Sequence, residues 1–521
     1  MLLIPYQGDV LALSGVPYRV GRESRSEYNE LNAGVVFQNP SSHTFLRGST
    51  GVADQHVPGY TYRLCLTSNA SLAVPLMAPP PRYNRSLYEG YLDDHQAGRL
   101  PSVWSAFSSP RPLPNGKFDM NTNPRPLGFA MAFGTSGKDA YPDGSWATRD
   151  AIVADIRDRT LGLLYFIQHD TAVPAQERSE ALKYNLTRDE FADNGLFPFQ
   201  LYVREARRMG GDFVMSEADM VPDVANGNAR PPVHADSVAA AETPTDAFPA
   251  SPRLPDSAGI AAGGASEGYI DEDHDIIDLY TLSRRIMLPP GLDNLLVPVA
   301  VSASHVAFSG IRMEPQWMTL GVASGVWAAL ARKAGTQRTR DVPVLALQQA
   351  IVARGESLIK YSDLSGPEPS WPCFQLLGPY GLAETTSYEA RPGANISRGL
   401  LADWLNATLT ARLPNLTLPA VPEVLSLSMR WVDLEYGQQY FAPASGLALA
   451  NITTPALSGL SSFRPGDHAT TAELHDWIAR ASAAFGIAME GRRGRHALPL
   501  APAANATRAE ACQALMALAV G

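Results

Sequence analysis

Residues 294–325, NLLVPVAVSASHVAFSGIRMEPQWMTLGVASG, decide how the rest of the chain is read. The apolar run from Leu295 to Val301 has the unbroken hydrophobicity of a strand buried on both faces, as in parallel sheets. It ends in small polar residues, Ser302, Ser304 and His305. A Gly310-Ile311-Arg312 turn is expected next, then Pro315 at the first helical position, where a missing N–H costs nothing. Gln316 to Ala331 is apolar almost all round and reads as a buried helix. Within it, Gly321-x-x-x-Gly325 places two glycines on one face, where a backbone or a flat ring can come close. A strand, a polar turn and a helix N-terminus aimed at that turn suit an anion. A buried strand–helix unit with no ligand fits the same spacing.

Working outward, 521 residues leave room for two to four domains, and 45% hydrophobic residues are enough for real cores. The net charge of −10 and the lack of basic runs argue against nucleic acid as a partner. No stretch of 18 apolar residues occurs, so no membrane span is expected. The opening MLLIPYQGD has no charged n-region and is not read as a signal peptide. Cys65, Cys373 and Cys512 are odd in number and far apart, so neither a disulfide framework nor a four-thiolate cluster is expected. Eight Asn-x-Ser/Thr sequons, five of them after residue 390, fit either passage through a glycosylating route or chance. The histidines lack zinc spacing, and no metal site is expected.

The first region, to about residue 215, alternates strand-like pieces such as Tyr60 to Thr67 with Pro-rich loops. Pro114-Asn115-Gly116-Lys117 predicts a hairpin, because Asn-Gly accepts positive φ. Ser145 to His169 has helical apolar spacing with Ser145 as its cap. Residues 216–268 are rich in Ala, Pro, Asp, Ser and Gly, and a disordered insertion is expected there. Tyr202, Arg204, Glu205, Arg207 and Arg208 crowd three guanidiniums and a carboxylate into seven residues. They predict either a salt-bridged face or one arginine turned inward toward a substrate anion. Lys117, Asp119 and Asn121 alternate on one strand face, as a polar pocket wall or a solvated edge.

The wording of these pieces resembles a family of FAD-dependent oxidoreductases, some of whose members are labelled xanthan lyases. NLLVP (294–298), SASH (302–305) and RMEP (312–315) match its C-terminal flavin-contacting segment. In order before them come YQGD, GVPYRVGRE, TYRLCLT, LPNGKFDMN, TLGLLYFIQHD and DNGLFPFQLYVREARRMGGDFVM. The resemblance implies an α/β fold: an incomplete FAD-binding Rossmann-like domain interleaved with an α+β substrate domain. It implies hydride transfer between an organic substrate, small-molecule or carbohydrate, and FAD. Ser304, Gly310, Arg312, Met313 and Gly321 would contact the cofactor, with the helix N-terminus facing the pyrimidine side of the flavin. His305 and Arg204 are the catalytic candidates, His305 because an imidazole transfers protons near neutral pH. No GxGxxG occurs to seat a pyrophosphate. Because YQGD matches a position well inside the family's chain, the nucleotide-binding segment is expected to have been lost before Met1. Tyr269 to His274 resembles the family's YNxDSH, with Ile270, Glu272 and Asp273 departing from it.

Beyond residue 362 the pattern changes. Asp363-Leu364 recurs 70 residues later as Asp433-Leu434, and Asp403-Trp404 recurs 73 residues later as Asp476-Trp477. Helices are expected to start near Ser397 and Thr470, and Thr507-Arg508-Ala509-Glu510 offers a third partial copy. Such self-similarity marks repeated helical units. With FRPGD at Phe463 to Asp467, it resembles S-layer homology repeats, which implies a cell-envelope polymer as partner and an extracellular or cell-envelope location. The expected organisation is a substrate domain (1–215), a disordered insertion (216–268), the C-terminal part of the FAD domain (269–361) and S-layer-like repeats (362–521). The alternative is a non-catalytic cell-envelope or glycan-binding protein carrying a remnant flavin domain. Gly264-Ala265-Ser266-Glu267-Gly268 fits G-x-S-x-G without a preceding strand, and Gly134-Thr135-Ser136-Gly137-Lys138 is too short for a P-loop, so neither is taken as a site.

Overall fold

A computed structural model describes residues 7–38, 44–96, 98, 100–107, 110–121, 138–250, 267–271, 279–413, 433–434, 438–450, 452–453, 462–487 and 504–520. The G-x-S-x-G serine, the Gly134–Gly137 loop and His274 lie outside these residues. In the first region a five-stranded antiparallel sheet has strands β1 (Leu64–Thr67), β2 (Ala73–Val74), β3 (Arg111–Leu113), β4 (Lys117–Met120) and β5 (Asn185–Thr187), in the order β2-β5-β1-β4-β3. The β3–β4 hairpin closes as expected, with positive φ at Asn115 and Gly116. Helix α1 (Trp146–His169) starts at Ser145, whose hydroxyl accepts the Thr148 N–H, and Ile152, Ile156, Leu163, Leu164 and Ile167 join one core with Leu64, Leu66 and Met120 of the sheet.

A second core runs without a break from Met215 to Ala519. It is built on the antiparallel pair β6 (Ser237–Ala241) and β7 (Tyr280–Ser283), backed by α3 (Glu314–Lys333) and α4 (Val344–Val352). A short helix, α2 (His305–Ile311), leads into α3. Helices α5 (Trp371–Leu377), α6 (Arg398–Arg412), α7 (Phe441–Leu449), α8 (Thr471–Phe485) and α9 (Arg508–Val520) complete it. Residues on both sides of 362 therefore share one core.

Several expectations change. Leu295–Val301 is not a strand: Pro298 interrupts the donors a ladder needs, and Val297 and Ser302 instead give their N–H groups to Met287 and Ile286 carbonyls. Its apolarity reflects burial of Val297, Ala300 and Val301. Gly310 and Ile311 are helical, with Arg312 as the C-cap of α2, and the next helix begins one residue before Pro315. Residues 216–250 of the expected disordered insertion are ordered, and only 251–266 lie outside the described residues. Their alanines carry little apolar area each, but they let β6 lie directly on α3 and α4, so close packing does what large side chains would do elsewhere. The expected parallel sheet appears among the described residues only as one bridge, Met215–Ala303.

The cysteines also correct the reading, because Cys373 of α5 and Cys512 of α9 form a disulfide with 5.9 Å between Cα atoms. Two cysteines 139 residues apart in sequence meet because the C-terminal helices gather around a closed ring of backbone bonds. Ile396 N–H donates to Ala506 O, Ala506 N–H to Ala469 O, and Ala469 N–H to Ile396 O, each at 2.9 Å. The residue after each, Ser397, Thr470 and Thr507, caps a helix, and Glu473 and Glu510 return the bond as capping boxes. Asp363 accepts the N–H groups of Ala390 and Arg391, and Asp433 those of Phe463 and Arg464. Arg398 pairs with Glu473, and Arg508 with Glu384 at 2.6 Å.

Candidate functional site

The extended segment from Tyr202 to Arg208 meets the start of α2. Met209 N–H donates to Ala300 O at 3.1 Å and Met215 N–H to Ser302 O at 3.1 Å, which fixes the two segments side by side. Ser304 caps α2 by accepting the Ala307 N–H at 3.1 Å, so the next residue, His305, is locked at the first helical position. His305 is 1% exposed. Its backbone N–H donates to Glu23 at 2.9 Å, and its Nδ1 meets Glu205 Oε2 at 2.7 Å.

Behind this pair Arg208 donates to Glu205, Glu23 and Ala303 O, each at 2.7 Å, and to Gly21 O. Gly21 has a φ of +83°, and a Cβ there would strike Asp54 O, so only glycine presents its carbonyl this way. Burial tends to raise the Glu23 carboxyl, but the charge and hydrogen bond of Arg208 outweigh it and hold Glu23 below the usual range. Burial lowers the guanidinium of Arg208, yet Glu23 and Glu205 carry it well above its ordinary value. Glu30 accepts from Ser304 Oγ and from the Glu217 N–H at 2.8 Å, and burial, with Glu23 nearby, raises its carboxyl. Two atoms in this cluster have no hydrogen-bond partner among the described residues: His305 Nε2 and Glu30 Oε2. If the Nδ1 contact is a donation to Glu205, Nε2 is left as the ring atom that can exchange a proton with a ligand, the geometry a general base needs.

Seven residues at 1.5 Å each put the other end of α2 about 10 Å away. There Arg312 donates to Tyr202 Oη at 3.2 Å and to Asp246 O at 2.8 Å. Arg204 lies 4.9 Å from the Tyr202 ring centre and 3.7 Å from that of Phe248. In the first turn of α3, Gln316 Nε2 donates to Thr243 Oγ1 at 2.5 Å, while Gln316 Oε1 and Thr245 Oγ1 have no partner among the described residues.

Of the residues singled out from sequence, His305, Ser304, Arg312, Met313 and Arg204 gather along α2 and at the start of α3. Ser304 and Met313 are there as N-caps. Gly310 is a packing residue, since a Cβ would lie 2.6 Å from Met220 Cε and 2.9 Å from Thr243 O. Gly321 and Gly325 have no described atom within 4 Å of a Cβ position, so no close backbone approach among the described residues uses them. Arg204, Glu205, Arg207 and Arg208 are buried; Arg207 is salt-bridged to Asp9 and Asp143, and Arg208 to Glu23 and Glu205. Lys117 pairs with Asp189 and Glu190, and Asp119 with Arg63, so that strand face is braced by ion pairs. Sequence reasoning missed Glu23 and Glu30: GRE is visible in the chain, but nothing in it tells which distant histidine a glutamate will meet. A recess of about 410 Å³ sits near Ala328, Arg332 and Thr336, at the far end of α3 from Arg312 and outside this cluster. Among the described residues no helix is long and apolar enough to cross a membrane.

The model of one family, described as FAD dependent oxidoreductase, matches residues 5–351. No curated protein and no solved structure matches the chain.

Proposed function

The chain belongs to the FAD dependent oxidoreductase family, and from that membership we propose that it moves a hydride between an organic substrate and FAD, with His305 as the proton-transfer residue. The observation that carries this reading is the buried His305, one nitrogen fixed by Glu205 and the other without a partner among the described residues. Bound FAD would supply the hydride acceptor, so the protein's part is positioning and proton handling.

The ring end of a flavin, which carries both N–H donors and carbonyl acceptors, fits what lies here. Gln316 Oε1 is a buried acceptor with no partner among the described residues, in the first turn of α3, and the Glu314 N–H stands at the positive end of that helix. Arg312, Met313 and Gln316 would hold the ring. For the pyrophosphate these 521 residues contain no GxGxxG. In the oxidative direction His305 Nε2 takes the proton from the substrate's hydroxyl or amine as hydride leaves its carbon. Glu205 keeps the imidazole in the needed tautomer and stabilises the imidazolium that forms, while Arg208 donates to Glu205 and holds it in place. The test is a dye-coupled oxidation screen over alcohols, amines and sugars with wild type and His305→Gln. The reading expects His305→Gln to retain flavin and lose turnover by ~10²–10⁴-fold; unchanged turnover would remove His305 from the chemistry.

A second reading concerns the C-terminal helices. The disulfide favours work in an oxidising compartment, and we propose that the C-terminal helices, gathered on their ring of three capped starts, hold a cell-envelope polymer. Co-sedimentation of the full chain with purified wall polymer tests it, and protein left in the supernatant would count against it.

A further inference from the structure

Arg204 is a buried cation that forms no ion pair among the described residues. It is 3% exposed, and its polar contacts are two neutral acceptors, Gly59 O at 2.8 Å and Thr61 Oγ1 at 3.0 Å, both reached by Nη1. Nε and Nη2 donate to no described protein atom, and no described carboxylate pairs with the group. The rings of Phe248 and Tyr202 lie against the guanidinium and hold its plane. Burial lowers its pKa to about 9; Arg312 and Arg63 act in the same direction, while Tyr202 and the charge of Asp246, which does not reach it as an ion pair, oppose them. Each neighbouring arginine, by contrast, has an acidic partner, Arg312 in Asp246 and Arg63 in Asp119.

An ionised group taken from water without a counter-ion is strongly unfavourable, and it persists only where the surroundings hold it or a ligand completes it. The open Nε–Nη2 edge is the side-on fork that matches a carboxylate with two parallel hydrogen bonds. We propose that Arg204 binds the carboxylate of the substrate through this edge, so that the substrate is an organic acid whose reacting carbon reaches toward His305. This rests on the reading of His305 as the reacting centre. The carboxylate end lies beside Arg312, and the reacting end lies one α2 length away.

The test is thermal unfolding of the full chain with acetate, succinate and benzoate as probes, and with benzamide and inorganic phosphate as controls. Wild type, Arg204→Met and Arg204→Lys are compared, and flavin absorbance is recorded on the same samples. The proposal expects at least one acid to raise the wild-type Tm saturably. That rise should be absent in Arg204→Met, and the half-saturating concentration should be at least about tenfold higher in Arg204→Lys, which keeps charge but loses the fork. If Arg204→Met does not fold, the lysine variant decides. The proposal is overturned if no acid shifts the wild type, if both variants respond like it, or if benzamide or phosphate acts as strongly. An acid-dependent shift in protein that binds no flavin would keep the Arg204 site and remove the flavin reading. Flavin-bearing protein with no such shift would do the reverse.

Discussion

Replacing Arg208 with methionine should be the most damaging single change in the N-terminal half. Arg208 is buried between Glu23 and Glu205 and donates four hydrogen bonds, two to carboxylates and two to the carbonyls of Ala303 and Gly21. Methionine fills similar space but leaves both carboxylates buried without a counter-charge. Breaking a buried pair by removing one partner costs about 3–5 kcal/mol. At roughly 2–4 °C per kcal/mol for a domain of this size, Arg208→Met should lower Tm by about 6–20 °C at pH 7. The loss should be smaller in acid. Glu23, which Arg208 holds ionised in the wild type, takes up a proton in the variant, and this narrows the gap by about 1.4 kcal/mol per pH unit. Between pH 7 and pH 5 one such proton recovers about 2.7 kcal/mol. The assay is a pair of thermal melts, wild type and variant, at the two pH values. A loss under about 1 kcal/mol at pH 7, or a loss equal at both pH values, would refute the claim that Arg208 balances two buried charges.

Three other outcomes are expected. Burial raises the Glu30 carboxyl, so the folded state keeps a proton there that the unfolded chain gives up, and that contribution to stability is lost as pH rises through the raised value. Glu30→Gln should therefore gain stability relative to wild type on going from pH 4 to pH 7.5, and a constant difference between their melts would contradict this. Cys512→Ala removes a cross-link closing 139 residues, worth up to about 5 kcal/mol in the chain-entropy model; limited proteolysis should show the 362–521 region cleaved first, and unchanged resistance would count against the bond. Gly310→Val should lower Tm, because its side chain would meet the Thr243 and Pro244 carbonyls; soluble variant with wild-type Tm would argue against that packing.

What was legible in the sequence follows from the range of the signal. The 145–169 helix carries its own cap and period, and the Asn115–Gly116 hairpin carries its own φ requirement, so both could be read locally. The capped starts at Ser397, Thr470 and Thr507 were readable for the same reason. The Leu295–Val301 run misled because hydrophobicity reports burial, and a proline inside it decides between ladder and coil. Residues 216–250 misled in the other direction, since alanine contributes through how closely it lets β6 approach α3, which composition does not record. The site was half visible. His305 and the 202–208 arginines stand out by type, whereas the choice of Glu205 as partner of His305, the placing of Glu23 and Glu30 beside it, and the isolation of Arg204 all depend on contacts across 100 to 282 residues.

The most direct test of the account is whether the full chain holds FAD. Purified protein is incubated with FAD, desalted, and its visible spectrum recorded. The account predicts flavin absorbance that stays with the protein and is bleached when the bound ring is reduced. A protein fraction that emerges colourless, with all flavin in the small-molecule fraction, would contradict it.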